Sequence, residues 1–157
     1  MSFIIRKANE NDAKAVADLL VSVGEVHWRG RSDIYQAHMK KHDECSARAL
    51  ILGGEYGVLV AEENGVVIGE LIYKITAREA DAFYKARKWL YIDDLCVCEE
   101  ARGSGVAVAL QEEAERIARE EGCDALELNC WAFNTRAEKF YEKMGYVRQK
   151  SEYEKIL

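Results

Sequence analysis

The chain has no proline and no run of about 18 consecutive apolar residues. The second absence excludes a helix that crosses a membrane. The first goes with a lack of repeats, low-complexity tracts and linkers, so nothing marks an internal boundary. With 157 residues, 49% of them hydrophobic and 32% charged, the composition is that of a soluble globular protein. The length suits one domain over 1–157, with a sizeable core. The opening stretch "MSFIIRKANENDAKAVADLL" lacks the basic-then-apolar layout of a signal peptide, which predicts a cytoplasmic chain. Cysteine is sparse and odd in number: Cys45, Cys96, Cys98, Cys123 and Cys130 follow no regular framework and read as reduced thiols. No histidine lies near enough to Cys96 and Cys98 to complete a zinc pattern, so no metal is expected. An excess of positive charge is missing as well. At a net charge of −6 the chain is poorly matched to nucleic acid, while a cationic substrate and plain solubility fit it equally.

What is present alternates between strand and helix patterns. Phe3 to Arg6 reads as a short strand. Asn9 then caps a helix, with Asp12 reaching back as in a capping box. Val16, Leu19, Leu20 and Val23 give that helix an apolar face, and Gly24 is its expected end. "VHWRGRS", Val26 to Ser32, reads as irregular, and a second helix is expected from Asp33 to about Leu50. "EYGVLVAEENGVVIGELIYKIT" is a hairpin turning at Asn64-Gly65, a pair that accepts positive backbone angles. "WLYIDDLCVCE" is a further strand, followed by a glycine turn and a helix whose face is Val106, Leu110, Ala114, Ile117 and Ala118. Gly122 closes it. "ALELNCWA" is a strand, Asn134 caps a short helix ending at Gly145, and "YVRQ" and "EYEKIL" read as final strands. The order βααβββαβαββ predicts one α/β domain around a mixed, mostly antiparallel sheet, with a parallel pair joined by the helix that follows the glycine turn. Ligands tend to lie outside the carboxyl ends of such parallel strands, and the glycine turn is there.

That turn, "ARGSGVA", fails two nucleotide-binding patterns. It lacks the Gly-Lys-Ser/Thr that ends a P-loop, and Val108 stands where a dinucleotide fingerprint needs its third glycine. What remains is Arg-x-x-Gly-x-Ala, Arg102 to Ala107, opening a helix directly after a strand. Backbone N–H groups at such a helix start, reinforced by the helix dipole, suit a pyrophosphate, and glycine lets them come close.

The stretches "DDLCVCEEARGSGVAVAL" and "LELNCWAFNTRAEKFYEKMGY", at this interval, resemble the GNAT superfamily of N-acetyltransferases. The motif closest to "DDLCV" is that of the diamine and polyamine acetyltransferases, which carry an acidic pair ahead of Phe/Leu-x-Val. The resemblance implies acetyl-CoA as cosubstrate and a central parallel pair splayed apart. It implies that Arg102, Gly103, Ser104, Gly105, Val106 and Ala107 bind the pyrophosphate, chiefly through backbone amides. Leu95-Cys96-Val97 would hold the pantetheine arm, Leu95 and Val97 by backbone pairing of the strand-addition kind. Asn134 would hydrogen-bond the cofactor and Tyr141 would stand near its sulfur. Val108 departs from the polar or basic residue often found at its position, which puts a contact to the outer phosphates in doubt.

Amide formation from a thioester needs a deprotonated amine, donors for the developing oxyanion and a proton for the departing thiolate. A backbone N–H near Val97 suits the second need and Tyr141 the third. Asn134 and Tyr141 are about two helical turns apart, hence on similar faces at ~10 Å. For the first, Asp93 and Asp94 are costly to bury unpaired in an apolar strand. Alternation places them on opposite faces, Asp93 with Leu95 and Val97. Asp93 is assigned as the base by the resemblance, and Asp94 as a cap, an ion-pair partner or a substrate contact. The acceptor site is expected in the irregular segments, where Trp28, Tyr35, Phe83 and Tyr84 suit cation–π contacts, ordinary packing or a homodimer surface equally. His27, His38 and His42 are further candidate bases. The expected reaction is acetyl transfer by direct attack, in a ternary complex, of a small cationic primary amine, with polyamines first. Protein N-terminal acetylation is the second reading, lowered because Asn129 stands where such enzymes often carry Glu. A non-catalytic acetyl-CoA-binding module is the third. No nucleic acid or membrane partner is expected.

Overall fold

In the computed structural model, which describes residues 2–38 and 40–157, strands β1 (Ile4–Lys7), β2 (Gly57–Glu63), β3 (Val66–Arg78), β4 (Arg87–Val97) and β5 (Ala125–Glu127) lie side by side in chain order. Every neighbouring pair is antiparallel except β4 and β5, which run parallel. Helix α1 (Ala13–Gly30) and helix α2 (Glu44–Leu52) follow β1. Helix α3 (Val106–Glu120) makes the crossover to β5, and α4 (Thr135–Lys143) follows. Among the described residues no helix is long and apolar enough to cross a membrane.

The core divides between the two faces of the sheet. Val106, Leu110, Ala114, Ile117 and Ala118 of α3 pack against Leu59, Leu71, Leu90 and Ile92. On the other face Val16, Ala17 and Leu20 of α1, with Ala47 of α2, cover Val58, Val60 and Ile72. The expected capping box forms: the Asn9 side chain accepts from the backbone at the start of the helical turn, and Asp12 accepts from Asn9 N at 2.8 Å. Arg6 locks this corner by donating to both Asp12 oxygens and to Glu62.

Four expectations need correction. Helix α1 does not stop at Gly24 but runs through "VHWRG" to Gly30, where Arg31 N donates to His27 O. A helical glycine costs only about 1 kcal/mol and ends a helix when it takes a positive φ, which Gly24 does not. Helix α2 begins at Glu44 and not near Asp33, because Asp43 and Ser46 cap it reciprocally. Of the residues assigned to its first part, Met39 lies outside the described residues. "ALELNCWA" forms a strand only over Ala125–Glu127. "YVRQ" and "EYEKIL" are not strands: past Tyr146, which packs against the core, Val147, Tyr153 and Ile156 are exposed, with no ladder partner among the described residues.

Candidate active site

The parallel pairing of β4 with β5 covers only Trp89↔Ala125, Leu90↔Leu126 and Tyr91↔Glu127. Strand β4 continues six residues further, to Val97, with β5 gone from its side. Asn129 donates to the Tyr91 hydroxyl at 2.8 Å just where the strands part. On the opposite edge Cys98 N donates to Ile68 O. The alternation of an antiparallel ladder therefore turns the backbone groups of Leu95 and Val97 toward the gap. Cys96 faces the other way: its backbone is on the β3 side, and its buried thiol donates to Leu19 O at 3.4 Å. Burial pushes that thiol up to about 12. Of the residues the resemblance assigns to the pantetheine arm, Cys96 is thus the one on the β3 side of the strand.

The gap opens into a cleft of about 120 Å³. Strand β4 contributes Asp93, Asp94 and Leu95, the chain after β5 contributes Asn129, Cys130 and Trp131, α4 contributes Asn134, Ala137 and Tyr141, and α1 contributes Val23 and His27. Asn134 and Tyr141 thus share the cleft-facing side of α4. The Asn134 Oδ1 caps its own helix by accepting from Ala137 N at 3.2 Å, leaving its amide hydrogens for a ligand. Burial holds the Tyr141 phenol well above its usual value, so it stays protonated. A larger hollow of about 390 Å³, between Lys7, Tyr56 and Tyr73 at the far edge of the sheet, contains none of the motif residues.

The two aspartates do not point to opposite faces as alternation implies. The register slips between Ile72 and Tyr73, pairing Asp94 with Ile72 and Ile92 with Tyr73, so Asp93 is the extra residue of a β-bulge. Both carboxylates meet the Lys41 ammonium, Asp93 at 3.0 Å and Asp94 more closely. Asp94 is 4% exposed at its side chain and Asp93 37%. Burial raises the Asp94 carboxyl from its ordinary 3.8 to about 6, against the opposing pull of Lys41. Burial alone would lower Lys41, but the contacts to Asp94 and Asp93 outweigh it and the net shift is upward. His27 is pushed down, first by burial and then by the Lys41 charge, and is neutral at pH 7. His42 moves the same way for the same reasons, whereas His38 sits outside, against Glu25.

The glycine turn sits just beyond Val97. Gly103 and Gly105 take φ of 83° and 93°, and Gly105 is the N-cap of α3 without a side-chain cap. Ser104 donates to Ala101 O and Arg102 to Val97 O. Both side chains therefore fold onto their own loop, and the first amides of a 15-residue helix (Val106, Ala107) remain open to an anion. Val108 is on its exposed side. The open strand edge, the glycine turn and the Asn134–Tyr141 face of α4 are the surfaces that the resemblance assigns to acetyl-CoA.

Two expected contacts fall elsewhere. Trp28 packs against His38, and Tyr84 against Phe83 and Arg78; neither lines the cleft. Two charged residues escaped the sequence reading. Glu70, in "VVIGELIY", is completely buried, and among the described residues both its carboxylate oxygens are unpartnered. It carried the same signal as Asp93 and Asp94, an acid inside an apolar strand. Lys41, in "KKHDE", carried none, because nothing in a charged loop marks which lysine turns inward.

A family model described as the acetyltransferase (GNAT) family matches residues 20–146. The uncharacterised N-acetyltransferase YhfO of Bacillus subtilis (strain 168) is 32% identical over 143 residues, covering 90% of this chain and 88% of that one. A tetramutant of the BH1408 protein of Bacillus halodurans superposes with a TM-score of 0.93 at 31% identity, over 98% of this chain and 99% of that one. A ribosomal-protein-alanine N-acetyltransferase of Brucella melitensis biovar Abortus 2308 shares the fold at a TM-score of 0.74 and 22% identity, over 99% of each chain.

Proposed function

The chain belongs to the acetyltransferase (GNAT) family and is an acetyl-CoA-dependent acetyltransferase, and on that premise we propose that its acceptor is the primary amine of a small cationic molecule. The observation that carries this reading is that Asp93 and Asp94, which line the cleft with Tyr141, converge on one ammonium group, that of Lys41. Bound acetyl-CoA supplies an activated acyl group as a thioester. The residues of this chain supply the rest. Asp93, the more accessible carboxylate, takes the proton of the incoming ammonium, directly or through water. The Val97 N–H, turned to the gap, donates toward negative charge developing on the acyl oxygen. Tyr141 donates to the departing sulfur, and since its phenol is held protonated, placement matters more than acidity. The amides from Gly103 to Ala107 hold the pyrophosphate, Leu95 and Val97 the pantetheine arm, and Asn134 a further polar group of the cofactor.

Polyamines lead the acceptor class. Asp94, the carboxylate not engaged in proton removal, attracts a second ammonium, so a diamine outperforms a monoamine of equal length. Protein N-terminal acetylation is less favoured, because Asn129 is committed to Tyr91 and offers the cleft no carboxylate. The test is thiol release from acetyl-CoA across amines, polyamines, aminoglycosides and peptides, with kcat/KM for a diamine and its monoamine analogue at low and high salt. A diamine advantage that shrinks with salt supports the reading, since partly solvated charges are screened over about 8–10 Å. Equal values at low salt remove the polyamine assignment, and turnover confined to peptide N-termini replaces it.

A further inference from the structure

The described part of the segment between α1 and α2 lies against the cleft wall at Trp131. It is pinned at one end by Arg31, stacked over Trp131, and by Tyr35, whose hydroxyl accepts from the Trp131 indole at 3.2 Å. Its other end is the Asp43–Ser46 cap of α2. Lys41 is just before that cap, outside any helix, with its side chain 44% exposed. Its ammonium bridges Asp93 at the rim and the buried Asp94. On the same face, opposite Cys96 in the ladder, Glu70 is fully buried with no hydrogen-bond partner for either oxygen among the described residues. Two carboxylates thus hold one lysine that reaches in from solvent on a flexible aliphatic stem, with the acid of Glu70 buried on the same face of the sheet.

We propose that Lys41 is a resident occupant of the acceptor's ammonium subsite, and that the acceptor binds by displacing it. The inference rests on the acceptor reading above. An alkylammonium on an unbranched stem is the chemical likeness of one end of a polyamine, so the two compete for the same carboxylate oxygens. Lys41 can leave without unwinding a helix, because the residues on either side of it are non-helical. Its departure exposes a carboxylate pair that a free ammonium then neutralises. Apparent affinity is reduced by the fraction of molecules in which the lysine is out, which makes Lys41 a specificity-determining residue. A permanent counter-ion that merely orients Asp93 would have the opposite signature, since removing it would damage the rate and leave binding unimproved.

The experiment compares the unaltered protein with Lys41→Met and Lys41→Arg, using putrescine as probe. Calorimetry without acetyl-CoA gives binding, and thiol release with acetyl-CoA gives KM and kcat. Lys41→Met removes the competing charge and is expected to bind putrescine about tenfold more tightly, with KM lowered by a similar factor, if the lysine is out in roughly a tenth of molecules. Lys41→Arg retains a competing cation and stays close to the unaltered protein. Equal or weaker binding in a folded Lys41→Met protein overturns the proposal, as does a fall in kcat with KM unchanged. In either case continued acetylation of amines leaves the acceptor reading standing. If no protein in the set binds putrescine or acetylates any amine, both fall.

Discussion

Tyr141 and Asp93 are separated by what each loses when altered. Tyr141→Phe keeps the ring that packs against Phe140 and Tyr146 and removes only the hydroxyl. We expect kcat to fall roughly 10²-fold with acetyl-CoA affinity nearly unchanged; wild-type turnover would exclude Tyr141 as the proton donor. Asp93→Asn is expected to slow the reaction most at low pH, where free amine is scarcest, so a pH–rate profile that merely shifts down in parallel would assign the base elsewhere. His27, neutral and in the same cleft, is then the next group to alter. These residues were only partly legible in the sequence. An acid in an apolar strand announces itself, which is why Asp93 and Asp94 stood out and why Glu70 deserved the same notice. A lysine in a charged loop does not announce its direction, so Lys41 did not stand out.

At the level of elements, the glycine turn joins backbone conformation to ligand binding. A Cβ at Gly105 would meet no heavy atom within 4 Å, yet its φ of 93° is one that side chains rarely adopt. Gly105→Val is therefore expected to cost about 1–3 kcal/mol through backbone strain, leave the protein folded, and abolish acetyl-CoA binding by filling the open space before α3. Retained affinity in a folded variant, measured by calorimetry, would move the pyrophosphate away from this turn. The same elements show what sequence patterns carry. The Asn9–Asp12 cap, the Asn64–Gly65 turn and the five-residue face of α3 are local chemistry with fixed spacing, and all three form as read. The bulge at Asp93 adds one residue to a ladder, a tertiary event that leaves composition untouched, so alternation misassigned the faces. The end of α1 went astray because packing carries a helix past an interior glycine, and the last two strands because apolar residues alone supply no edge to pair with.

Across the whole molecule, opposite carboxyl shifts bound the pH range of stability. Asp12, held low chiefly by its hydrogen bond to Arg6, contributes stability that is present above the ordinary carboxylate pKa and lost as pH falls through its folded value. Glu70 is raised well above 4.5, first by burial and then by Asp94. Its contribution is complete below the ordinary value and is lost as pH rises through the folded one. Thermal unfolding of Glu70→Gln, which keeps the shape and cannot ionise, should therefore gain on the unaltered protein as pH rises; parallel melting temperatures across pH would show that Glu70 does not titrate as its burial implies. The early parting of β4 from β5 also implies a pattern in time. Along one strand, the amide hydrogens of Cys96 and Cys98, held by β3, should trade with deuterated solvent slowly, while those of Leu95 and Val97, facing the gap, trade fast. Acetyl-CoA should slow the second pair alone, as though the ligand were the strand that the chain leaves out.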